Sequence, residues 1–446
     1  MESPSKHQKL IKITPRLVLQ VALPILLLLI IPLQLLKNTS FITSSSKPTP
    51  PPTTTTTTTT STIHDQVAPS RHKPLPSITR PKCDLFTGEW VPNPDAPYYT
   101  NTSCWAIHEH QNCMKYGRPD SEFMKWRWKP DECELPLFNP RQFFEIVKGK
   151  SLAFVGDSVA RNQLQSMICL LSRVEWPYDV SYTQDEYFKR WHYRSYDFTM
   201  AIFTSPFLVK AQENDPGGPT GTGLFGLHLD QADEAWKANI DEFDYLVISA
   251  GHWFFRPLMF YEHNKVIGCR YCQIENITDY PITFGYRKVF RTAFRAILER
   301  ENFKGIVYLR TFAPSHFEGG EWNEGGDCKR QRPFKSSEST LQGVDLDLYM
   351  AQVGEFYAAQ KLARRRGRRF RLIDMTQPML LRPDGHPSRY GHWPNENVVL
   401  YNDCVHWCLP GPIDSWSDFL LEMMRNEGVF SKQEKILLSK DRRFKS

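Results

Sequence analysis

Leu17 to Leu36 is a run of twenty residues without a charge, followed by a stretch with no recurring apolar face. Together these confine any packed core to the chain beyond residue 82. Twenty residues at 1.5 Å rise span about 30 Å, the hydrocarbon thickness of a bilayer. Pro24 and Pro32 interrupt the run, which membrane helices tolerate. Lys6, Lys9, Lys12 and Arg16 precede it and only Lys37 lies close behind. The positive-inside tendency therefore predicts a cytosolic tail over 1–16, a transmembrane signal anchor over 17–36 and a lumenal remainder. A cleaved signal peptide is the competing reading, but the stretch exceeds an h-region of about 7–15 residues and no clear small-x-small site comes after it. Residues 37–82 hold Pro48, Pro50, Pro51, Pro52 and the unbroken run Thr53 to Thr60, the composition of an extended, disordered, O-glycosylated stem.

Beyond the stem the chain is rich enough to fold. Overall it is 41% hydrophobic and 13% aromatic, which excludes a wholly disordered protein. A mean hydropathy of −0.46 with a single long apolar run excludes a polytopic membrane protein. A net charge of +6 is a mild excess and hardly argues for nucleic acid, which wants concentrated basic faces. All ten cysteines lie after the stem: Cys83, Cys104, Cys113, Cys133, Cys169, Cys269, Cys272, Cys328, Cys404 and Cys408. An even count confined to one side of the anchor predicts disulfides in an oxidising compartment. Ten cysteines allow about 945 pairings, so composition does not choose among them. Sequons at Asn38, Asn101 and Asn276 agree with a secretory location.

Short apolar runs at Ser151–Val155, Tyr245–Ile248, Ile306–Leu309 and Arg371–Ile373 predict buried strands. Tyr286, Val289, Phe290, Ala293, Phe294 and Ile297 repeat with helical period, and 341–366 predicts a second long helix. Strands alternating with helices predict an α/β domain over 141–446, a parallel sheet flanked by helices, with sites beyond the carboxyl ends of strands. Residues 83–140, rich in Pro, Trp, Tyr and Cys, predict a loop-rich, disulfide-tied subdomain. The arginines from Arg364 to Arg371 read either as an anion site or as cations at a helix C-terminus that Gly367 stops.

Two places carry chemistry. Gly156-Asp157-Ser158 comes directly after the first strand and a helix can start after it, which suits a serine nucleophile above a sheet. An Asp/Ser helix cap is the plain alternative. Far downstream stands Asp403-Cys404-Val405-His406, where a carboxylate can orient an imidazole locally. The pairing of these two patterns is similar to the SGNH/GDSL-type acyl hydrolases. Gly251, after the strand at 245–248, is a candidate oxyanion donor or simply a turn residue, and Asn162 is a second candidate donor.

The segments Cys83–Trp90 (CDLFTGEW), Phe154–Gln163 (FVGDSVARNQ) and Asp403–Gly411 (DCVHWCLPG) resemble the plant trichome birefringence-like family of polysaccharide O-acetyltransferases, from about Cys83 to about Met424. Gly268-Cys269-Arg270-Tyr271-Cys272 and the stretch Phe312 to Gly320 resemble its xyloglucan-acetylating branch. Ser249 departs from the pattern, since many relatives carry Asn there. The resemblance implies a Golgi, single-pass type II enzyme with Ser158, Asp403 and His406 as its catalytic residues. It further implies an acetyl donor, acetyl-CoA or an acetylated carrier, no bound cofactor or metal, and a donor-supplying membrane partner. The acceptor would be a cell-wall polysaccharide, with xyloglucan side-chain galactose expected and xylan, mannan or pectin as alternatives. Arg161, His252, Trp253 and Trp407 are candidate substrate-binding residues, and Phe254, Phe255, Trp322 and Trp393 are further aromatics able to stack on sugars. Implied disulfides are Cys83–Cys133, Cys104–Cys169, Cys113–Cys408 and Cys328–Cys404, leaving Cys269 and Cys272 to pair locally or, alternatively, to hold zinc. Glycosylation is expected at Asn101 and Asn276. Competing functions are an acetyl esterase, a glycosyltransferase using Asp345-Leu346-Asp347, and a non-catalytic wall-binding protein.

Overall fold

Runs such as Ser151–Gly156 (SLAFVG) and Tyr245–Ser249 (YLVIS) are apolar on both faces of the pleat, so they need cover above and below. A computed structural model describes residues 83–214, 223–394 and 401–427 and gives them that cover. The expected tail, anchor and stem, and Asn38, lie outside the described residues. Among the described residues no helix is long and apolar enough to cross a membrane.

The main sheet has seven strands: β1 (Ser151–Gly156), β2 (Tyr178–Asp179), β3 (Arg190–Tyr193), β4 (Phe198–Thr204), β5 (Tyr245–Ser249), β6 (Ile306–Arg310) and β7 (Arg369–Ile373). Their order is β7-β6-β5-β1-β4-β3-β2. The four pairings from β7 to β4 are parallel, as the alternation of strands and helices predicts. The two at the far edge are antiparallel, so the expected parallel sheet carries an antiparallel edge. The link from β3 to β4 is too short for a crossover: a single 3₁₀ turn and Asp197, at φ 47°, reverse the chain.

Side-chain alternation along β1 divides the core. Leu152 and Phe154 pack to one side with α1 (Pro140–Val147), α2 (Ser158–Leu171) and Phe419 of the helix at 415–427. Ala153 and Val155 pack to the other with α3 (Ile282–Glu299) and α4 (Gly343–Arg365). A second sheet of four strands, in the order Lys265–Arg270, Leu258–Glu262, Phe225–Ala232 and Val209–Glu213, lies beyond α3. Its hairpin turns on His263 and Asn264, both at positive φ (49° and 60°). Gly285 of α3 lets the ring of Phe260 approach to where a Cβ would stand 2.6 Å away.

Residues 83–140 contain regular structure that their composition did not suggest. Gly88–Pro92 pairs antiparallel with Trp126–Pro130. Trp90 and Trp128 meet edge to face at 5.5 Å, and their indole N–H groups donate to the carbonyls of Pro378 and Leu85. Disulfide Cys83–Cys133 closes this ribbon, Cys104–Cys169 ties it to α2, and Cys113–Cys408 ties it to the C-terminal part. With Cys328–Cys404 and Cys269–Cys272, these are the pairings that the resemblance implies. The bond between Cys269 and Cys272 leaves no thiolate there for zinc.

The arginine cluster works as helix-end chemistry. Gly367, at φ 68°, stops α4, Arg366 donates to the carbonyl of Leu298 and Arg368 to that of Arg300, both near the end of α3. Asp345 and Asp347 sit in the first turns of α4.

The tightest point of the sheet is Gly156. A Cβ there would lie 1.6 Å from the carbonyl oxygen of Ser249 on β5. Gly156→Ala is expected to cost about 4 kcal/mol or more, read as a fall in the denaturation midpoint. An unchanged midpoint would mean that β1 and β5 do not meet this closely.

Candidate active site

The Gly156 turn sets the next two residues. Asp157 is the N-cap of α2: its Oδ1 accepts from the N–H groups of Val159 (3.0 Å) and Ala160 (3.4 Å). Its Oδ2 accepts from the Gly251 N–H at 2.9 Å. One buried carboxylate therefore joins the helix start to the loop after β5. Ser158 opens α2, at the carboxyl end of β1, half-buried at the head of the helix.

The C-terminal loop supplies the rest. Asp403 Oδ1 accepts from the N–H groups of Val405 (3.0 Å) and His406 (2.9 Å), while Oδ2 accepts from His406 Nδ1 at 2.8 Å. His406 Nε2 stands 2.7 Å from Ser158 Oγ. The three residues thus form an unbroken carboxylate–imidazole–hydroxyl chain across 248 positions of sequence. The loop is held from several sides. Ser388 and Asp403 exchange two backbone hydrogen bonds (2.8 and 3.0 Å), and Cys404 and Cys408 are anchored by disulfides to Cys328 and Cys113.

The electrostatics suit a serine nucleophile. Burial alone would raise the Asp403 carboxyl, but the charge and hydrogen bonds of His406 and the Val405 N–H hold it well below the usual carboxylate range. Burial lowers His406, yet Asp403 outweighs burial by charge and hydrogen bond, so the imidazole ends above its ordinary value. Arg161 acts on it in the opposite sense.

Two sequence expectations are corrected here. Gly251 is not a free oxyanion donor, because its N–H is committed to the buried Asp157 carboxylate. Asn162 is not one either. Its Oδ1 accepts from the Trp407 N–H (2.8 Å) and its Nδ2 donates to the Trp407 carbonyl (3.3 Å), which fastens the His406 loop to α2. Trp407 is fully buried with its ring stacked on His386 at 4.1 Å, so it offers no face to a sugar; Phe254 is likewise buried. Trp253 is half-buried between Phe207, Phe225 and Arg256. Phe255, Trp322 and Trp393 are exposed, and so is Asn276, while Asn101 is half-buried.

Other groups gather at the serine. Arg161 lies one turn along α2, half-buried, and its Nε is shielded with no hydrogen-bond partner among the described residues. His252 packs its ring on Phe312 at 4.8 Å; burial pushes it down to about 4, partly offset by Asp157, which leaves a neutral imidazole near neutral pH. His108, which no sequence motif marks, is depressed by burial and then by the charges of Arg161, His110 and His406. A residue of the N-terminal segment therefore lies within electrostatic reach of the site. Arg310, at the end of β6, is also unanticipated. Its guanidinium donates to Ser249 Oγ and covers the Trp416 ring at 4.7 Å, so the side chain that departs from the family pattern has a partner. A charge ending the apolar run Ile306–Arg310 was the available signal.

Residues 135–423 match the GDSL/SGNH-like acyl-esterase family found in Pmr5 and Cas1p, and residues 81–134 match the PMR5 N-terminal domain. Among curated relatives, trichome birefringence-like protein 19 of Arabidopsis thaliana is 59% identical over 360 residues, covering 80% of this chain and 84% of its own length. Xyloglucan O-acetyltransferase 4 of Populus trichocarpa is 44% identical over 345 residues (77% of this chain, 81% of its own). Xyloglucan O-acetyltransferase 2 of Arabidopsis thaliana is 42% identical over 347 residues (77% and 83%).

Asn162→Leu keeps bulk but removes both bonds to Trp407. It is expected to cost about 2–3 kcal/mol in denaturant unfolding and to slow fluorophosphonate labelling of Ser158 about tenfold. Labelling at the normal rate would show that the loop holds without the clamp.

Proposed function

The chain belongs to the trichome birefringence-like family of polysaccharide O-acetyltransferases, within the GDSL/SGNH-like acyl esterases, and we propose that it moves an acetyl group through an acetyl-Ser158 intermediate onto a cell-wall polysaccharide. The observation that carries this reading is the 2.7 Å contact between His406 Nε2 and Ser158 Oγ, with Asp403 behind the ring. His406 takes the Ser158 proton as Oγ attacks the acetyl carbonyl carbon. The donor's leaving group departs with that proton, leaving the acetyl group on Oγ. A sugar hydroxyl then gives its proton to His406 and attacks the same carbon, and Ser158 leaves and recovers the proton. Asp403 keeps Nδ1 protonated and stabilises the imidazolium in both halves.

The oxyanion is met by donors other than Gly251 and Asn162. The Ser158 N–H is the first of α2, and Arg161 Nε has no hydrogen-bond partner among the described residues; both stand in the first turn of that helix. The acetyl donor is a co-substrate, acetyl-CoA or an acetylated carrier supplied by a membrane partner. Transfer rather than hydrolysis requires a sugar hydroxyl at high effective concentration beside the intermediate. Exposed Tyr187 beside Arg161, and the exposed Trp322–Tyr401 pair at 5.3 Å, are suitable stacking surfaces. The relatives named as xyloglucan O-acetyltransferases support xyloglucan, on its side-chain galactose, as the acceptor. The charge-free run Leu17–Leu36 supports a membrane anchor, and on that basis we infer a Golgi location with this domain in the lumen.

Incubation of the chain with a labelled acetyl donor and an oligosaccharide panel, read by mass spectrometry, tests the proposal. Acetylated oligosaccharide and acetyl-Ser158 are expected, and Ser158→Ala should abolish both; free acetate alone would identify an esterase. Asp403→Asn should lower kcat by on the order of 10³–10⁴. The pH dependence comes from the raised His406. The imidazolium–Asp403 pair stabilises the fold fully below about pH 6.5 and loses that contribution as pH rises through the folded pKa. The base form appears over that same rise, so the acid limb of kcat should lie above about 6.5. It should move down in Asp403→Asn, and an unmoved limb would assign it to another group.

A further inference from the structure

Behind the catalytic loop lie two buried histidines that acyl transfer does not use. His316 is 9% and His386 1% exposed. His316 Nε2 lies 3.0 Å from the Leu380 carbonyl, His316 Nδ1 lies 2.7 Å from His386 Nε2, and His386 Nδ1 lies 2.7 Å from the carbonyl of His406. Carbonyl oxygens only accept, so both outer nitrogens must carry protons. The nitrogen–nitrogen contact needs one more, on either ring. Three protons on four ring nitrogens is one more than two neutral imidazoles hold.

We propose that the His316–His386 pair holds a single shared excess proton, and that this buried imidazolium positions His406 by gripping its main-chain carbonyl. The surroundings bear on it from every side. Burial opposes the charge, pushing His316 down to about 4 and His386 well below its ordinary value; Asp384, Glu318 and Asp403 favour it, while Arg118 and Arg330 oppose it, so the charge stands only because the three hydrogen bonds outweigh burial. Trp407 lies stacked against His386 at 4.1 Å, a π-face placed to receive a cation. Arg118 donates to the His386 carbonyl at 2.8 Å, fixing the backbone from which the second ring projects. Without the extra proton one of the three hydrogen bonds must break, and the contact with the His406 carbonyl is less buried than that with the Leu380 carbonyl, so it is the one we expect to yield.

The pair is therefore a positioning device with a pH dependence. It grips the loop when protonated and loosens it as pH rises, so it adds an alkaline fall in kcat to the acid limb that His406 imposes. Its kinetic consequence rests on the reading of His406 as the base, whereas the proton count does not. If Ser158→Ala kept full transfer activity, that reading would fall while the count stood.

Nitrogen-15 NMR of the unsubstituted protein, labelled at histidine, decides the count. Three ring N–H signals are expected from the pair, one strongly deshielded; two would overturn the proposal, and this holds even if a variant fails to fold. Kinetics test the positioning. His316→Phe leaves a neutral His386 that can keep its one proton on Nδ1 for the His406 carbonyl, so kcat should stay within about threefold and the alkaline fall should disappear. His316→Gln carries two protons on one neutral amide, can serve both acceptors, and should keep kcat within about threefold while losing the alkaline fall. An alkaline limb that persists in His316→Gln would overturn the assignment.

Discussion

The catalytic geometry depends on holding a loop from the far end of the chain against the start of one helix. Asp403 and His406 orient each other without help, because three residues on one turn suffice for that contact. Ser158 is 248 positions away, and no local preference brings it to His406. The two hydrogen bonds between Asn162 and the backbone of Trp407 make that connection beside the reacting groups. A main-chain N–H and carbonyl of one residue are satisfied by a single carboxamide, so the loop is fixed in position and in orientation. Disulfides at Cys404 and Cys408, on either side of His406, add constraint from two directions.

Asp157 shows a different use of a buried charge. Its carboxylate takes three backbone N–H groups, one from each of Val159, Ala160 and Gly251. Arg310 and Asp157 also act on each other electrostatically: burial lowers the guanidinium to about 10, and the carboxylate supports its charge. The acid of Gly-Asp-Ser is thus an architectural element that draws β1, α2 and the loop after β5 to one point. It is also the reason that the Gly251 amide is unavailable to substrate.

Much of the fold was legible because the decisive signals are local. The apolar runs at 151–155, 245–248, 306–309 and 371–373 are strands; the first three reach one residue further at the end and the last starts two residues earlier, since pairing in the sheet is not limited to the apolar run. The helix over 341–366 is real to within two residues. The second sheet was illegible because its strands, such as Val209–Glu213 and Lys265–Arg270, mix charged and apolar residues, and its turn at His263 and Asn264 lacks glycine. At the site, residue type and spacing identified the chemistry but not the spare donors. Gly251 and Asn162 have the right groups, and only the three-dimensional pairing shows which partners those groups already hold. The burial of Trp407 was invisible for the same reason, since an aromatic beside a catalytic histidine has the same letter whether it faces sugar or core.

The Cys113–Cys408 bridge spans 295 residues and joins the early ribbon segment to the loop that bears His406. During synthesis one of these cysteines emerges long before the other. The ribbon segment must then wait, unpartnered at that thiol, until the 295 residues that separate the pair have emerged behind it. Chemical competence is thereby tied to synthesis and oxidation of the segment that follows Asp403, and a chain truncated before that residue would carry a serine with no base to activate it.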